Sequence, residues 1–122
     1  MSEVLRALAD ALAFGDTLLI VRSGAAIAEV VGGPLRRGEE WLTLGDEGAG
    51  ASHVHLRIAD AQAIRYRQPE GRNAALDVLG ADGAVVVSIA FRRTNPVRAA
   101  TFDAERLAAI GARFGRLGEV PA

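Results

Sequence analysis

The sequence predicts an α+β fold: a mainly antiparallel sheet of about seven strands, with one helix before it and one after it. Three observations carry this reading. Apolar residues recur at helical spacing only near the two ends of the chain. Between those ends the apolar runs are short and bounded by Gly, Pro, Asn and Asp. No helical stretch separates successive strands, so the connections are of hairpin type. The 122 residues suit one domain, spanning 1–122.

Ser2 to Phe14 reads as the first helix, with Ser2 as its cap and Val4, Leu5, Leu8 and Leu12 as its apolar stripe. Gly15-Asp16 ends it. Thr17 to Arg22 is a strand, Ser23-Gly24 a turn, and Ala25 to Val31 the returning arm, which Gly32-Gly33-Pro34 breaks. A short strand follows at Trp41 to Leu44. The Gly-rich stretch from Gly45 to Ser52 lacks a Gly-Lys-Ser/Thr ending and carries Asp46 and Glu47, so it reads as a connection or lid and not as a phosphate loop. His53 to Arg57 and Ala61 to Arg67 are further strands. Ala74 to Leu79 and Ala84 to Phe91 form the clearest hairpin, around Ala81-Asp82-Gly83. Val85-Val86-Val87 is apolar enough to expect cover on both faces or an interface. Asp103 caps the last helix, which runs to about Leu117 with Leu107, Ile110 and Phe114 on one face.

Composition excludes several classes. The formal net charge is −1, which gives no overall electrostatic case for nucleic acid. No apolar run reaches the ~18 residues of a membrane span, and the acidic start Met1-Ser2-Glu3 does not read as a signal peptide. A cytoplasmic protein is expected. The 14 basic residues are all arginine, which fits a GC-rich bacterial genome and makes every side-chain cation other than histidine a planar fork suited to carboxylate or phosphate.

Cysteine is absent and the one methionine is Met1, so nitrogen ligation of a metal falls to the two histidines, His53 and His55. They stand two apart in one strand, and the strand period of two turns both to one face. Two histidines on a solvent face need no function, with Val54 and Leu56 turned inward. A non-haem metal site would need a third ligand from Asp46, Glu47 or Asp60. A serine nucleophile at Ser52 would rest on adjacency to His53 alone, since no Gly-x-Ser-x-Gly elbow exists, and no catalytic residue is assigned. Arg65 and Arg67 share a strand face and could clamp carboxylates, or else form surface ion pairs with Glu70 or Asp77.

Several segments carry a likeness. Trp41-Leu42-Thr43-Leu44, a Gly-rich loop and His53-Val54 resemble a family's strand, loop and Gly-His-Ile step. Ala61 to Pro69 resembles its strand ending in Arg-Lys, Ala74 to Gly83 its hairpin, and Ala84 to Arg93 the strand that ends near Phe-Gly-x-Arg. From Leu5 to Phe114 the chain resembles the HutX/ChuX-type cytoplasmic haem-utilisation proteins, themselves similar to one half of the HemS-type haem carriers. The resemblance implies a HemS/ChuX-like fold, binding of haem or a similar tetrapyrrole, and a homodimer, for which the apolar Val85 to Ile89 strand is the expected contact. It implies His53 as the candidate axial iron ligand, with His55 as the one histidine that could stand in for a second axial ligand, and Arg67 and Arg93 facing the haem propionates; Arg36 and Arg37 are further cations for that role. The family's second histidine before the Trp41 strand is missing, since Pro34 to Glu40 contains none, and Arg92 replaces the glycine of Phe-Gly. Three functions stay open: a haem carrier; the same fold with haem binding lost, taking another small apolar ligand or serving as an interaction domain; and a haem-degrading or non-haem metal enzyme using His53 and His55.

Overall fold

The computed structural model describes residues 3–46, 48 and 50–117. Helix α1 spans Glu3–Ala13 and buries Leu5, Ala7, Leu8, Ala11 and Leu12. The Ser2 cap lies outside the described residues. The helix ends because Gly15 (φ 71°) and Asp16 (φ 51°) turn left-handed, with the Gly15 amide donating to the Leu12 carbonyl at 3.0 Å. Strand β1 (Thr17–Ser23) returns as β2 (Ala26–Val31) through a two-residue turn at Gly24-Ala25, where Gly24 supplies the positive φ that such turns need.

Among the described residues eight strands form two sheets, where the sequence predicts about seven strands in a mainly antiparallel sheet. The additional strand is β3 (Leu35–Arg37), three residues long and directly behind Pro34, too short for a period of two to register. It pairs with β4 (Trp41–Gly45), which pairs with β5 (His53–Arg57), giving a separate three-stranded antiparallel sheet. A 3-10 turn over Ile58–Asp60 leads to β6 (Ala63–Arg67), then β7 (Ala75–Leu79) and β8 (Val85–Phe91). These join β1 and β2 in a five-stranded sheet of order β2-β1-β8-β7-β6, with every pair antiparallel.

One core lies between the sheets and helices. The five-stranded sheet contributes Leu19, Ile89, Leu76 and Tyr66 in one cross-strand row, with Phe91, Val87 and Val78 beside them. The three-stranded sheet turns Leu42, Leu44 and Leu56 inward, and α2 (Ala104–Phe114) adds Ile110 and Phe114. The Asp103 carboxylate accepts from the Arg106 amide at 3.0 Å, the expected cap. The helix gives way to a 3-10 turn at Gly115–Leu117, short of its expected end.

The valine run needs a correction. Val85 is 38 % exposed and Val86 half-buried, so cover on both faces holds only from Val87 to Phe91. Strand β8 is central, paired with β1 on one side and β7 on the other. Its apolar character is therefore used inside the chain, and it offers no free edge to a second copy.

Arg106 ties the two ends of the fold together. Its guanidinium donates to the carbonyls of Gly15 (2.6 Å), Asp16 (3.0 Å), Phe14 (3.3 Å) and Arg92 (2.8 Å). These include acceptors that the end of α1 leaves without helical partners.

Candidate functional site

The outer face of the three-stranded sheet collects the residues with the most chemistry. The β4–β5 register sets Trp41 opposite Arg57, Thr43 opposite His55, and Gly45 opposite His53; the β3–β4 register sets Arg36 opposite Thr43. Residues directly opposite share a face. Arg36, Thr43 and His55 thus form one row across three strands. Both histidines are exposed, their ring centroids 4.7 Å apart, as the spacing of two predicts.

The His53 Nδ1 lies 3.2 Å from the Asp46 carbonyl oxygen. A carbonyl only accepts, so Nδ1 is the donor here, and in the neutral ring the lone pair then sits on Nε2. This is the arrangement in which a ligating imidazole is held by its other nitrogen. The His55 Nδ1 is 3.1 Å from the Thr43 hydroxyl. Gly45 brings the strands close enough for this: a Cβ there would lie 2.7 Å from the Ser52 oxygen and 2.9 Å from His53 Cα, and its φ is 120°. The sequence places Gly45 in a loop; it is the last residue of β4 and sets the position of His53.

Beside His55 an open concavity of about 460 Å³ is lined by Arg36, Arg37, Gly38, Trp41, Thr43 and His55. This is within the ~300–1,000 Å³ of small-molecule sites. Trp41 is 41 % exposed. The Arg57 guanidinium sits 4.6 Å from the Trp41 ring centroid and 3.5 Å from the Asp60 carboxylate. Among the described residues the lining holds two arginines and no carboxylate.

Arg67 and Arg93 are elsewhere. Arg67 lies on the outer face of the five-stranded sheet, where it and Arg65 both bind Asp77: Arg67 Nε at 2.5 Å and Arg65 Nη2 at 2.7 Å from Oδ2. The Ser88 hydroxyl donates to Asp77 Oδ1 at 2.7 Å. Asp77 is the anticipated partner, but it is 0 % exposed and not on the surface. Burial pushes its carboxyl up; the hydrogen bonds from Arg67, Ser88 and Arg65 outweigh burial and hold it below the usual carboxylate range. Arg93 (φ 66°) pairs with Asp16 at 2.6 Å and Asp103 at 3.4 Å. Its hydrogen bond to Asp16 is the main reason that carboxyl is lowered.

Of the third ligands considered for a metal, Asp60 pairs with Arg57 and Asp46 turns its backbone carbonyl to His53. Glu47 lies outside the described residues. Among the described residues no three His, Asp or Glu side chains gather, and no helix is long and apolar enough to cross a membrane.

No protein-family model and no curated protein matches the chain. Solved structures do. Protein AGR_C_4470 from Agrobacterium tumefaciens superposes with a TM-score of 0.68 at 19 % identity, over 93 % of this chain and 66 % of that one. The crystal structure of ChuX superposes with a TM-score of 0.58 at 14 % identity, over 93 % of this chain and 71 % of that one. The chain therefore spans about two thirds of the length of each and has a ChuX-like α+β fold.

Proposed function

We propose that the outer face of the three-stranded sheet binds haem or a similar tetrapyrrole reversibly, in a cytoplasmic, homodimeric carrier of the HutX/ChuX type, related to one half of the HemS-type carriers. The observation that carries this reading is the hydrogen bond of His53: Nδ1–H is held by the Asp46 carbonyl, which in the neutral ring leaves the Nε2 lone pair for a metal. The donor set suits the group. His53 would hold the iron, with His55 beside it; Trp41 offers an apolar plane, and Arg36 and Arg37 offer forks to the propionates. When bound, the iron would supply a Lewis acid for the imidazole nitrogen to hold. The protein binds and orients through these side chains without covalent attachment, since no cysteine exists for a thioether link. Arg67 and Arg93 keep structural roles in this reading, and no residue is given a catalytic one.

A specific observation favours a second reading, the same fold with haem binding lost. The two arginines that the family resemblance assigns to the propionates are engaged with Asp77, Asp16 and Asp103. Hemin titration of wild type and His53→Ala separates the two. The carrier reading expects a Soret band that saturates near one haem per chain and is lost or shifted in His53→Ala. A band unchanged by the substitution keeps haem and moves the ligand to His55 or elsewhere. The absence of a specific band in both proteins would leave the second reading.

A further inference from the structure

A single haem ligand leaves His55 without a task, yet the two imidazoles are arranged as a pair. Both are exposed, and each is held through Nδ1 from the β4 side: His53 by the Asp46 carbonyl at 3.2 Å, His55 by the Thr43 hydroxyl at 3.1 Å. A hydroxyl accepts as well as donates, so Nδ1–H can be the donor in both bonds. The two nitrogens of an imidazole point in nearly opposite directions, so both Nε2 atoms face away from β4. Gly45 lies across from His53 and has no side chain to cover that ring.

The ring separation is the one a shared ion requires. An ion bonded to Nε2 at ~2.0–2.1 Å stands about 3.2 Å from the ring centre, so two rings on one ion have centres about 4.5 Å apart at a right angle and about 5.2 Å apart at the tetrahedral angle. The His53 and His55 centroids are 4.7 Å apart, with the ring planes at 62° and so not stacked. Of the cations on this face, Arg57 is turned onto the Trp41 ring and paired with Asp60. Arg36 and Arg37 lie on the β3 side of Thr43. Their charge disfavours ions held by electrostatics alone and selects ions that bond imidazole nitrogen.

From this geometry we propose that His53 and His55 chelate one free divalent ion of the borderline class (zinc, nickel or copper) through their two Nε2 atoms, independently of any porphyrin. Water completes the coordination, since no third His, Asp or Glu joins the pair among the described residues. The site is therefore open and exchanges its ion. Thr43 is a positioning residue, because it holds the His55 ring through Nδ1. Magnesium and calcium, which take oxygen ligands, are excluded.

The test is calorimetric titration of the untagged chain with nickel chloride and zinc chloride, and with magnesium chloride as the control. Wild type is expected to take one nickel or zinc ion per chain and no magnesium. His53→Ala and His55→Ala should each weaken nickel binding about 100-fold, because the second ligand of a chelate binds intramolecularly. Thr43→Val should weaken it about tenfold, and Thr43→Ser should restore it. In the NMR spectrum of wild type, nickel should broaden the Hε1 signals of both histidines together. No saturable nickel or zinc binding to wild type overturns the inference. Binding that only one alanine variant loses, or that neither loses, also overturns it, as does broadening of one histidine alone. The wild-type titration and spectrum need no variant to fold, and far-UV circular dichroism verifies the variants. No porphyrin enters this experiment and no free metal enters the hemin titration, so either reading can fail while the other stands.

Discussion

The outer faces of the two sheets carry the same kind of residues to opposite ends. Each displays arginine beside strand neighbours that could make it a binding surface. On the five-stranded sheet, Arg65 and Arg67 lie over Asp77, and the pairing consumes them: a buried carboxylate, two forks and the Ser88 hydroxyl satisfy one another. On the three-stranded sheet, Arg36 stands across from Thr43 in the row that ends at His55, and among the described residues no carboxylate lines the hollow beside them. The opposing strand decides whether an arginine meets a buried carboxylate across the sheet. An i, i+2 pair in sequence looks alike in both cases.

Mutating Asp77 should break this contrast most visibly. Asp77→Ala leaves two guanidiniums and a hydroxyl without their shared acceptor and should cost about 3 kcal/mol, the low end for a broken buried pair because both arginines are about 30 % exposed. Urea unfolding measures it. An Asp77→Ala midpoint equal to wild type would mean that the five-stranded face is not held by this cluster.

Gly45→Ala should come next. A methyl group at φ 120°, against Ser52 and His53, should cost about 2 kcal/mol and displace the His53 ring. The histidine resonances in an NMR spectrum report the displacement.

Arg67→Met sharpens the comparison, because it should remove about 1.5 kcal/mol of stability while leaving ligand affinity at the other face untouched. Loss of ligand binding in that variant, with the fold intact, would return Arg67 to the site.

Acid should also separate the faces. Asp77 has a folded-state pKa below its unfolded value. Its stabilisation is therefore fully present above about pH 4 and is lost as pH falls through the lowered folded value. Asp77→Asn should flatten the fall in stability below about pH 4, as measured by urea midpoints across pH.

The smallest effect belongs to Arg57→Met, about 0.5 kcal/mol for an exposed cation–π contact. Its clearer readout is a shift in Trp41 emission as the ring loses its cover.

Much of the fold is legible in the sequence, and the losses have definite causes. Helix α1 and its left-handed stop, the β1–β2 and β7–β8 hairpins and the Asp103 cap follow from periodicity and turn chemistry within a few residues of their own positions. Strand β3 does not, because Leu35-Arg36-Arg37 is held by its partner β4 and not by any pattern of its own. The division into two sheets is likewise a matter of which strand meets which. At the site, the period of two suffices to put His53 and His55 on one face. The Trp41–Arg36–Arg37 hollow is not legible, since it needs the β3–β4 pairing. The burial of Asp77 is invisible for a similar reason: an aspartate in an apolar hairpin reads as surface until its two arginines arrive from β6.

The strand order has a consequence for biosynthesis. The β1–β2 hairpin is among the first structure made, yet β1 finds its other neighbour only in β8, about seventy residues later in the chain. At ~5–20 residues per second, the hairpin waits on the order of several seconds with one side of β1 unpaired. Closing the large sheet is therefore a late, long-range event. Until then the nascent chain presents Leu18 and Ile20 on an open strand edge, the stage at which a holding chaperone or a stray second chain would meet it.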